Sequence, residues 1–323
     1  MAKKIPVIID VDTGFDDALA LLLALRSPQL DVRGITCVAG NQRLPQVVVN
    51  TLKIVEVAGA STPVAAGMDR PLLESMRTPL ALHGADGMAD LDLPAPRRTV
   101  EAEHAVEFMR RLLIQANEPL TLICLAPLTN IAVLLRMYPD LRSRIDRIFV
   151  MGGALAASGN TSALAEFNVR HDPEAAAMVL ESGLAICLYP LDVFRAIRFT
   201  RTEAAAFVAS DLPVARVAGR ILDFSCNYFE RDDALVGDAG TVATVIEPAA
   251  CHIEAFPVTV ELGHGAARGM TVLDRRPTAQ RQRLSDWWTT SPAEIEVITD
   301  VDTERYRTLI RDRWLSPIDS AVT

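Results

Sequence analysis

The run Asp10-Val11-Asp12-Thr13-Gly14-Phe15-Asp16-Asp17 sets four carboxylates between two apolar runs, Ile5 to Ile9 and Ala18 to Leu25. The first run reads as a strand buried on both faces and the second as a helix packed into a core. A strand and a helix joined by so short a turn aim several acids at one point, where they repel one another unless a cation or a proton relieves them. A helix N-terminus stabilises one or two anions by roughly 0.3 to 1 kcal/mol each, too little for a fourfold cluster. Helix capping and the first-turn preference for acids would be satisfied by two of them.

The same alternation continues along the chain. Strand-like runs at Ile5–Ile9, Val32–Val38, Leu120–Leu125, Arg147–Met151 and Leu184–Tyr189 are separated by helical patterns at Asp16–Arg26, Pro45–Ala58, Ala102–Asn117, Leu128–Met137 and Pro173–Glu181. Mostly unbroken apolar strands between helices predict an α/β fold, an open and mostly parallel central sheet with helices on both faces. After about residue 200 the alternation weakens: a long helix over Val214–Glu230 leads to a second acidic turn, then to short strands at Pro257–Leu262 and Ile295–Ile298. No repeat or low-complexity linker divides the chain, so one domain over residues 1–323 is expected. In such a sheet ligands gather at the carboxyl ends of the strands. The polar segments Asp10 to Asp17, Gly40-Asn41, Ala126 to Asn130 and Gly152-Gly153 all follow predicted strands.

Charge and cysteine usage narrow the partners. A net charge of −9 without any Lys/Arg run argues against a nucleic-acid partner and for a small neutral or cationic substrate. The longest apolar run, Ala18 to Leu25, is too short to cross a bilayer, and no apolar signal segment opens the chain. The five cysteines, Cys37, Cys124, Cys187, Cys226 and Cys251, are scattered and odd in number, which suits buried reduced thiols. A cytoplasmic protein without a membrane partner is expected.

The motifs, taken in order, resemble the nucleoside hydrolase family. They are Asp-x-Asp-x-Gly-x-Asp-Asp at 10–17, Val38-Ala39-Gly40-Asn41, His83-Gly84, Leu128-Thr129-Asn130, Met151-Gly152-Gly153, Glu166-Phe167-Asn168, Asp172-Pro173-Glu174-Ala175 and Gly269 to Asp274. The resemblance implies a Ca²⁺-dependent N-ribohydrolase of inosine-uridine preferring type, working as a homodimer or homotetramer on a ribonucleoside. It implies that Asp12, Asp17 and Asp238 ligate Ca²⁺ with the backbone carbonyl of Leu125, where the family usually has Thr. It further implies that Asp12 takes a proton from a Ca²⁺-bound water and that Asp16 binds ribose hydroxyls. Asn41, Asn160, Glu166 and Asn168 match positions used around the sugar, and His83 is a further pocket candidate. Independently of the family, cleavage of an N-glycosidic bond passes through a ribosyl cation that carboxylates stabilise, while a hard cation orients sugar and water.

Other readings of single residues remain open. Asn41 could simply end a strand, Glu166 could be a solvated acid, and Asn168 a turn former. Asp172 reads as a helix cap before Pro173, and His171, His252 and His264 as satisfied structural histidines.

The informative departure is Gly237-Ala239. Many relatives have His-Asp-Pro there, and that His is associated with protonating or steering the leaving base. A positioned acid is worth about 10²- to 10⁴-fold, so a chain without it must recruit another donor, take a leaving group that departs without one, or be slow. Base specificity stays open, and Gly237→His raises activity on a natural nucleoside only where leaving-group protonation limits the rate and the new side chain finds a supporting shell. Tyr228, Glu230, Arg231 and Asp233 are candidates for meeting the base instead. Two other functions fit parts of the pattern: a slow or non-catalytic Ca²⁺-dependent ribosyl-ligand binder, and a haloacid dehalogenase-type phosphatase. The second leaves the Asp16-Asp17 pair unexplained.

Overall fold

The computed structural model describes residues 3–77, 84, 86–277, 279–280 and 294–317. His83 lies outside the described residues. Eleven strands are described: β1 (Ile5–Val11), β2 (Leu30–Cys37), β3 (Val64–Ala66), β4 (Leu120–Cys124), β5 (Ile145–Met151), β6 (Ile186–Tyr189), β7 (Arg198–Thr200), β8 (Asp233–Leu235), β9 (Cys251–Val260), β10 (Thr271–Leu273) and β11 (Glu294–Val301). The helices are α1 (Phe15–Leu25), α2 (Leu44–Val57), α3 (Ala105–Gln115), α4 (Thr129–Met137), α5 (Phe167–His171), α6 (Pro173–Leu180), α7 (Leu191–Phe194), α8 (Arg201–Val208), α9 (Pro213–Tyr228), α10 (Gly237–Ile246) and α11 (Thr303–Trp314).

Nine strands form one sheet in the order β10-β9-β11-β6-β5-β4-β1-β2-β3, and β7 pairs with β8 in a small antiparallel ribbon. The pairings from β3 through to β11 are all parallel, whereas β9 and β10 extend the far edge antiparallel. The expected α/β architecture is therefore the observed one. From β1 the chain winds outward through β2 and β3 on one side, then returns to β4, β5 and β6 on the other. The point of reversal lies between β1 and β4, and it is there that an open parallel sheet leaves a crevice at its carboxyl edge.

Side chains on β1 explain why the sheet must be covered on both faces. Val7, Ile9 and Val11 enter one core layer together with α1, α2, α9 and α10, while Ile8 enters the other with α3, α4 and α6. Period-two alternation turns every residue of one strand toward one layer or the other, and both must be dry. Asp10, on the same face as Ile8, is consequently drawn into the interior and is 1 % exposed.

Strand and helix bounds differ from expectation mainly at their ends. Asp10 and Val11 belong to β1 itself, so the turn is only Asp12 to Gly14. β9 begins at Cys251, not Pro257, because its first half is exposed on alternate residues and carries a mixed sequence, Cys-His-Ile-Glu. The three-residue strands β3, β7 and β8 are too short to show a period. All five cysteines are free, and four are buried. No helix among the described residues is long and apolar enough to cross a membrane.

Asp172 caps α6, as read from sequence, by accepting from Ala175 N at 3.1 Å, and Pro173 opens the helix. Its other oxygen accepts from Thr129 Oγ1 at 2.7 Å and from Leu72 N at 2.9 Å. One buried carboxylate thus ties together the starts of α4 and α6 and the segment after β3. Asp172→Ala is expected to lower stability by roughly 2–4 kcal/mol, from the lost cap and the orphaned donors. Urea denaturation measures this, and a loss under about 0.5 kcal/mol would show that the three donors find water instead.

Candidate active site

Three helix N-termini converge on the crevice between β1 and β4, each bringing an acid to its positive end. Asp16 and Asp17 lie in the first turn of α1, Asp238 in the first turn of α10, and Glu166 is the N-cap of α5. Oxygens of Asp16, Asp17 and Asp238 lie within 4.8 Å of one another, an arrangement able to hold a metal ion. Asp17 and Asp238 are buried, whereas Asp16 is only partly so and bounds the open side.

Asp12 stands beside this trio rather than within it. Its backbone N donates to Asp17 Oδ1 at 3.2 Å, and Gly14 N donates to Asp17 Oδ2 at 3.0 Å. Asn41 joins the two acids: its backbone N donates to Asp12 Oδ2 at 2.6 Å, and its amide donates to Asp12 Oδ1 and to Asp17 Oδ2, each at 3.2 Å. Asn41 is therefore more than a strand terminator. Gly40 is needed for this approach, since a Cβ there would overlap Asp12 Oδ2. Beneath, Asp10 Oδ1 accepts from Thr36 Oγ1 at 2.5 Å and from the Asn130 amide at 2.8 Å, while Asp10 Oδ2 is buried without a hydrogen-bond partner.

Burial dominates the electrostatics. It raises Asp10 to about 7, and burial followed by the repulsion of Asp16 raises Asp17 to about 8. Asp12 is raised by burial and then by Asp17, and Asp238 by burial and then by Asp16 and Asp17. Acids that resist ionisation in isolation become good ligands when a cation of matching size and charge replaces their protons. An all-oxygen set of this kind suits a hard divalent ion.

On the β4–β5 side, Asn168 donates from its amide to the Leu125 carbonyl at 2.9 Å and to the Met151 carbonyl at 3.2 Å. Leu125 O thus faces the same crevice as a buried acceptor. Glu166 is not a solvated acid: it is 2 % exposed, with Oε1 accepting from Asn168 N at 2.9 Å and Oε2 from Gly153 N and Val169 N at 3.1 Å. Burial raises Glu166 to about 7 despite these donors. Asn160 is exposed, on a loop that closes on itself through Asn160 N to Ala165 O at 3.2 Å.

The second acidic stretch divides. Asp233 is paired with Arg198 at 2.7 Å and Arg231 lies over the Phe229 ring, so both are engaged outside the acid cluster. Tyr228 stacks on Phe224, whose ring centroid is 6.4 Å from that of Phe15, next to Asp16. Although aromatic residues make up only 5 % of the chain, these rings run as a series from the acid turn to the surface. His171 is not satisfied as expected: its Nε2 is buried without a hydrogen-bond partner, and burial lowers it to about 4. His252 and His264 are exposed.

Two features escaped the sequence. Thr36 carries no motif, and its contact with Asp10 follows only from the parallel register of Asp10 with Thr36. Phe194 is the larger omission. Any Cβ at Gly237 would overlap the Cε2, Cζ and Cδ2 atoms of the Phe194 ring, so the space expected to receive a histidine is already full. A side chain at position 237, histidine included, therefore requires the half-buried Phe194 ring to move. A surface groove of about 460 Å³ lined by Glu247, Arg305 and Asp312 shares no residue with the acid cluster.

Comparison with known proteins agrees with this geometry. Residues 7–308 match the family model for inosine-uridine preferring nucleoside hydrolases. The pyrimidine-specific ribonucleoside hydrolase RihA of Photobacterium profundum is 36 % identical over 314 residues, covering 95 % of this chain and 98 % of that one. RihA of Escherichia coli O81 is 34 % identical over 315 residues, 96 % of this chain and 98 % of its own. Among solved structures, an inosine-guanosine nucleoside hydrolase superposes with a TM-score of 0.87 at 29 % identity, covering 97 % of this chain and 99 % of the other. A plant nucleoside hydrolase gives 0.86 at 27 % identity with the same coverage. With its acids at the switch point of the sheet and a match over nearly its whole length, the chain belongs to the nucleoside hydrolase family, enzymes that cleave the N-glycosidic bond of ribonucleosides.

Proposed function

We propose that this protein is a Ca²⁺-dependent ribonucleoside hydrolase that releases ribose and free base, with pyrimidine ribonucleosides as its first substrates. The observation that carries the reading is the buried carboxylate cluster at the switch point, which is electrostatically unfavourable alone and favourable around a hard cation. The pyrimidine preference is supported by the specificity for which the two RihA relatives are named.

Asp12, Asp17 and Asp238 with the Leu125 carbonyl are proposed to hold the cation, which when bound polarises water and orients the ribose diol. Asp12 accepts the proton of the attacking water, and the two Asn41 donors on its carboxylate fix the direction in which its remaining lone pairs point. Asp16, on the open side, takes ribose hydroxyls. Asn168 and Glu166, locked together through the start of α5, place oxygen atoms near the ribosyl cation as positive charge develops, and Asn160 closes on the sugar from its exposed loop, with His83 a further contact. As parts of the same proposal, residues 1–323 form one domain and the protein acts as a cytoplasmic homodimer or homotetramer. Its free, mostly buried cysteines support a reducing compartment.

The decisive experiment is release of reducing sugar from uridine, cytidine and inosine with and without Ca²⁺. Uridine or cytidine turnover that is abolished by chelation and restored by Ca²⁺ is the expected result. Calcium-dependent binding of uridine without ribose release would identify a ribosyl-ligand binder instead.

Asp12→Asn is expected to lower kcat by at least about 10³-fold, since both the base and one ligand charge are lost. Near-normal turnover would remove Asp12 from the base role.

The protons on the acid cluster give a pH signature. Asp17 rises from 3.8 to about 8 in the folded chain, so between those values the folded state binds protons that the unfolded state has lost. Its contribution in the metal-free protein is therefore complete below about pH 4 and falls away as the pH climbs toward 8. A cation takes over the work of those protons. The gain in melting temperature on adding Ca²⁺ should be small near pH 5 and several degrees larger near pH 8, as followed by differential scanning calorimetry. A gain that does not change with pH would mean that the acids are ionised without the metal.

A further inference from the structure

α7 is a single turn, yet the residues in and after it grip two sides of the site. Asp192 accepts from the backbone N–H groups of Leu155, Ala156 and Ala157 at 2.9, 2.8 and 3.0 Å. Arg195, directly after the helix, donates to the carbonyls of Ser158 and Gly159 at 3.0 and 3.4 Å. The loop leading to Asn160 is thus held through its donors and its acceptors by one rigid piece of chain. Phe194 lies between these two anchors, and its ring fills the space beside the Cα of Gly237. Gly237 is the first residue of α10, and the next residue is Asp238 of the acid trio. Phe194 is half-buried and packs against the core.

The Phe194 ring lies against the start of the Asp238 helix, its neighbours Asp192 and Arg195 hold the loop leading to Asn160, and the ring itself offers a flat apolar face and no proton donor. We infer that Phe194 determines specificity at the leaving-group end of the site, meeting the nucleobase with its ring and occupying the space that a side chain at position 237 would take. This rests on the ribonucleoside reading above. Aromatic rings accept a base by stacking without reading its hydrogen-bonding edge. The same ring excludes a donor from the start of α10, so the departing base receives no proton from that helix.

The test compares wild type with Phe194→Ala, Phe194→Leu and the double variant Gly237→His/Phe194→Ala, all Ca²⁺-loaded and checked for folding by thermal melting. For Phe194→Ala, kcat/KM on uridine should fall roughly 10- to 100-fold, chiefly through KM. Competitive inhibition by free ribose, which reaches only the sugar end, should stay within about twofold of wild type. Phe194→Leu keeps most of the volume without the flat face, and an intermediate loss is expected; it also carries the test if the alanine variant does not fold. The double variant should gain a new limb in its pH-rate profile near the imidazole range, about 6.5, absent from Phe194→Ala. Equal weakening of uridine and ribose would reduce Phe194 to a structural role and overturn the inference, as would unchanged uridine kinetics in Phe194→Ala and Phe194→Leu. A wild type that neither binds nor cleaves any ribonucleoside would instead bring down the hydrolase reading on which the inference stands.

Discussion

Repulsion among buried carboxylates is the constraint around which this protein is built. Asp10, Asp12, Asp17 and Asp238 are each at most 3 % exposed, and burial is the first cause of the upward shift in every one of them. Such a cluster cannot assemble by local preference. It has to be imposed by elements whose other contacts are favourable enough to hold it, and β1 and α1 supply those contacts: both are apolar nearly throughout and reach into the core layers of the molecule.

The topology then limits how the acids can be arranged. Reversal of the winding between β1 and β4 opens the crevice, and the helices that follow the strands start along its carboxyl edge. Each N-terminus offers unpaired N–H groups, and the chain spends several on carboxylates: Gly14 N on Asp17, and Asn168 and Val169 N on Glu166. These bonds fix where the oxygens point, but they leave the charge of the cluster uncompensated. Asp16 stands on the open face of the cluster, with Asp12, Asp17 and Asp238 behind it.

Much of this was legible in the sequence because it depends on local periodicity. The five parallel strands expected from unbroken apolar runs are β1, β2, β4, β5 and β6, and the acid run marks its own importance by exceeding what a helix cap needs. Asp172 was readable as a cap from its neighbour Pro173 alone. What was not legible depends on packing across the chain. The sequence marks Glu166 as a site candidate but leaves a solvated loop acid open, because nothing nearby shows that Gly153 will reach its carboxylate. The start of α10 is hidden by its two glycines, Gly237 and Gly240, which weaken any helical signal. His171 sits on the buried face of a five-residue helix too short to display a moment, so its unpartnered nitrogen had no sequence signature.

The relation between positions 194 and 237 shows why a missing residue is not the same as an empty place. Read along the chain, Gly237 is a position without a side chain, which looks like room for one. In the folded protein the space beside its Cα holds a ring 43 positions earlier in the chain, next to Asp192 and Arg195, which are committed to a different loop. Close packing makes such exchanges reciprocal: the ring requires the glycine as firmly as the glycine admits the ring. A side chain at 237 therefore requires displacement of the Phe194 ring, and changes at the two positions are expected to be strongly non-additive. The chemistry available at the leaving-group end is in this sense set by α7, an element that contributes no group to the acid cluster at all.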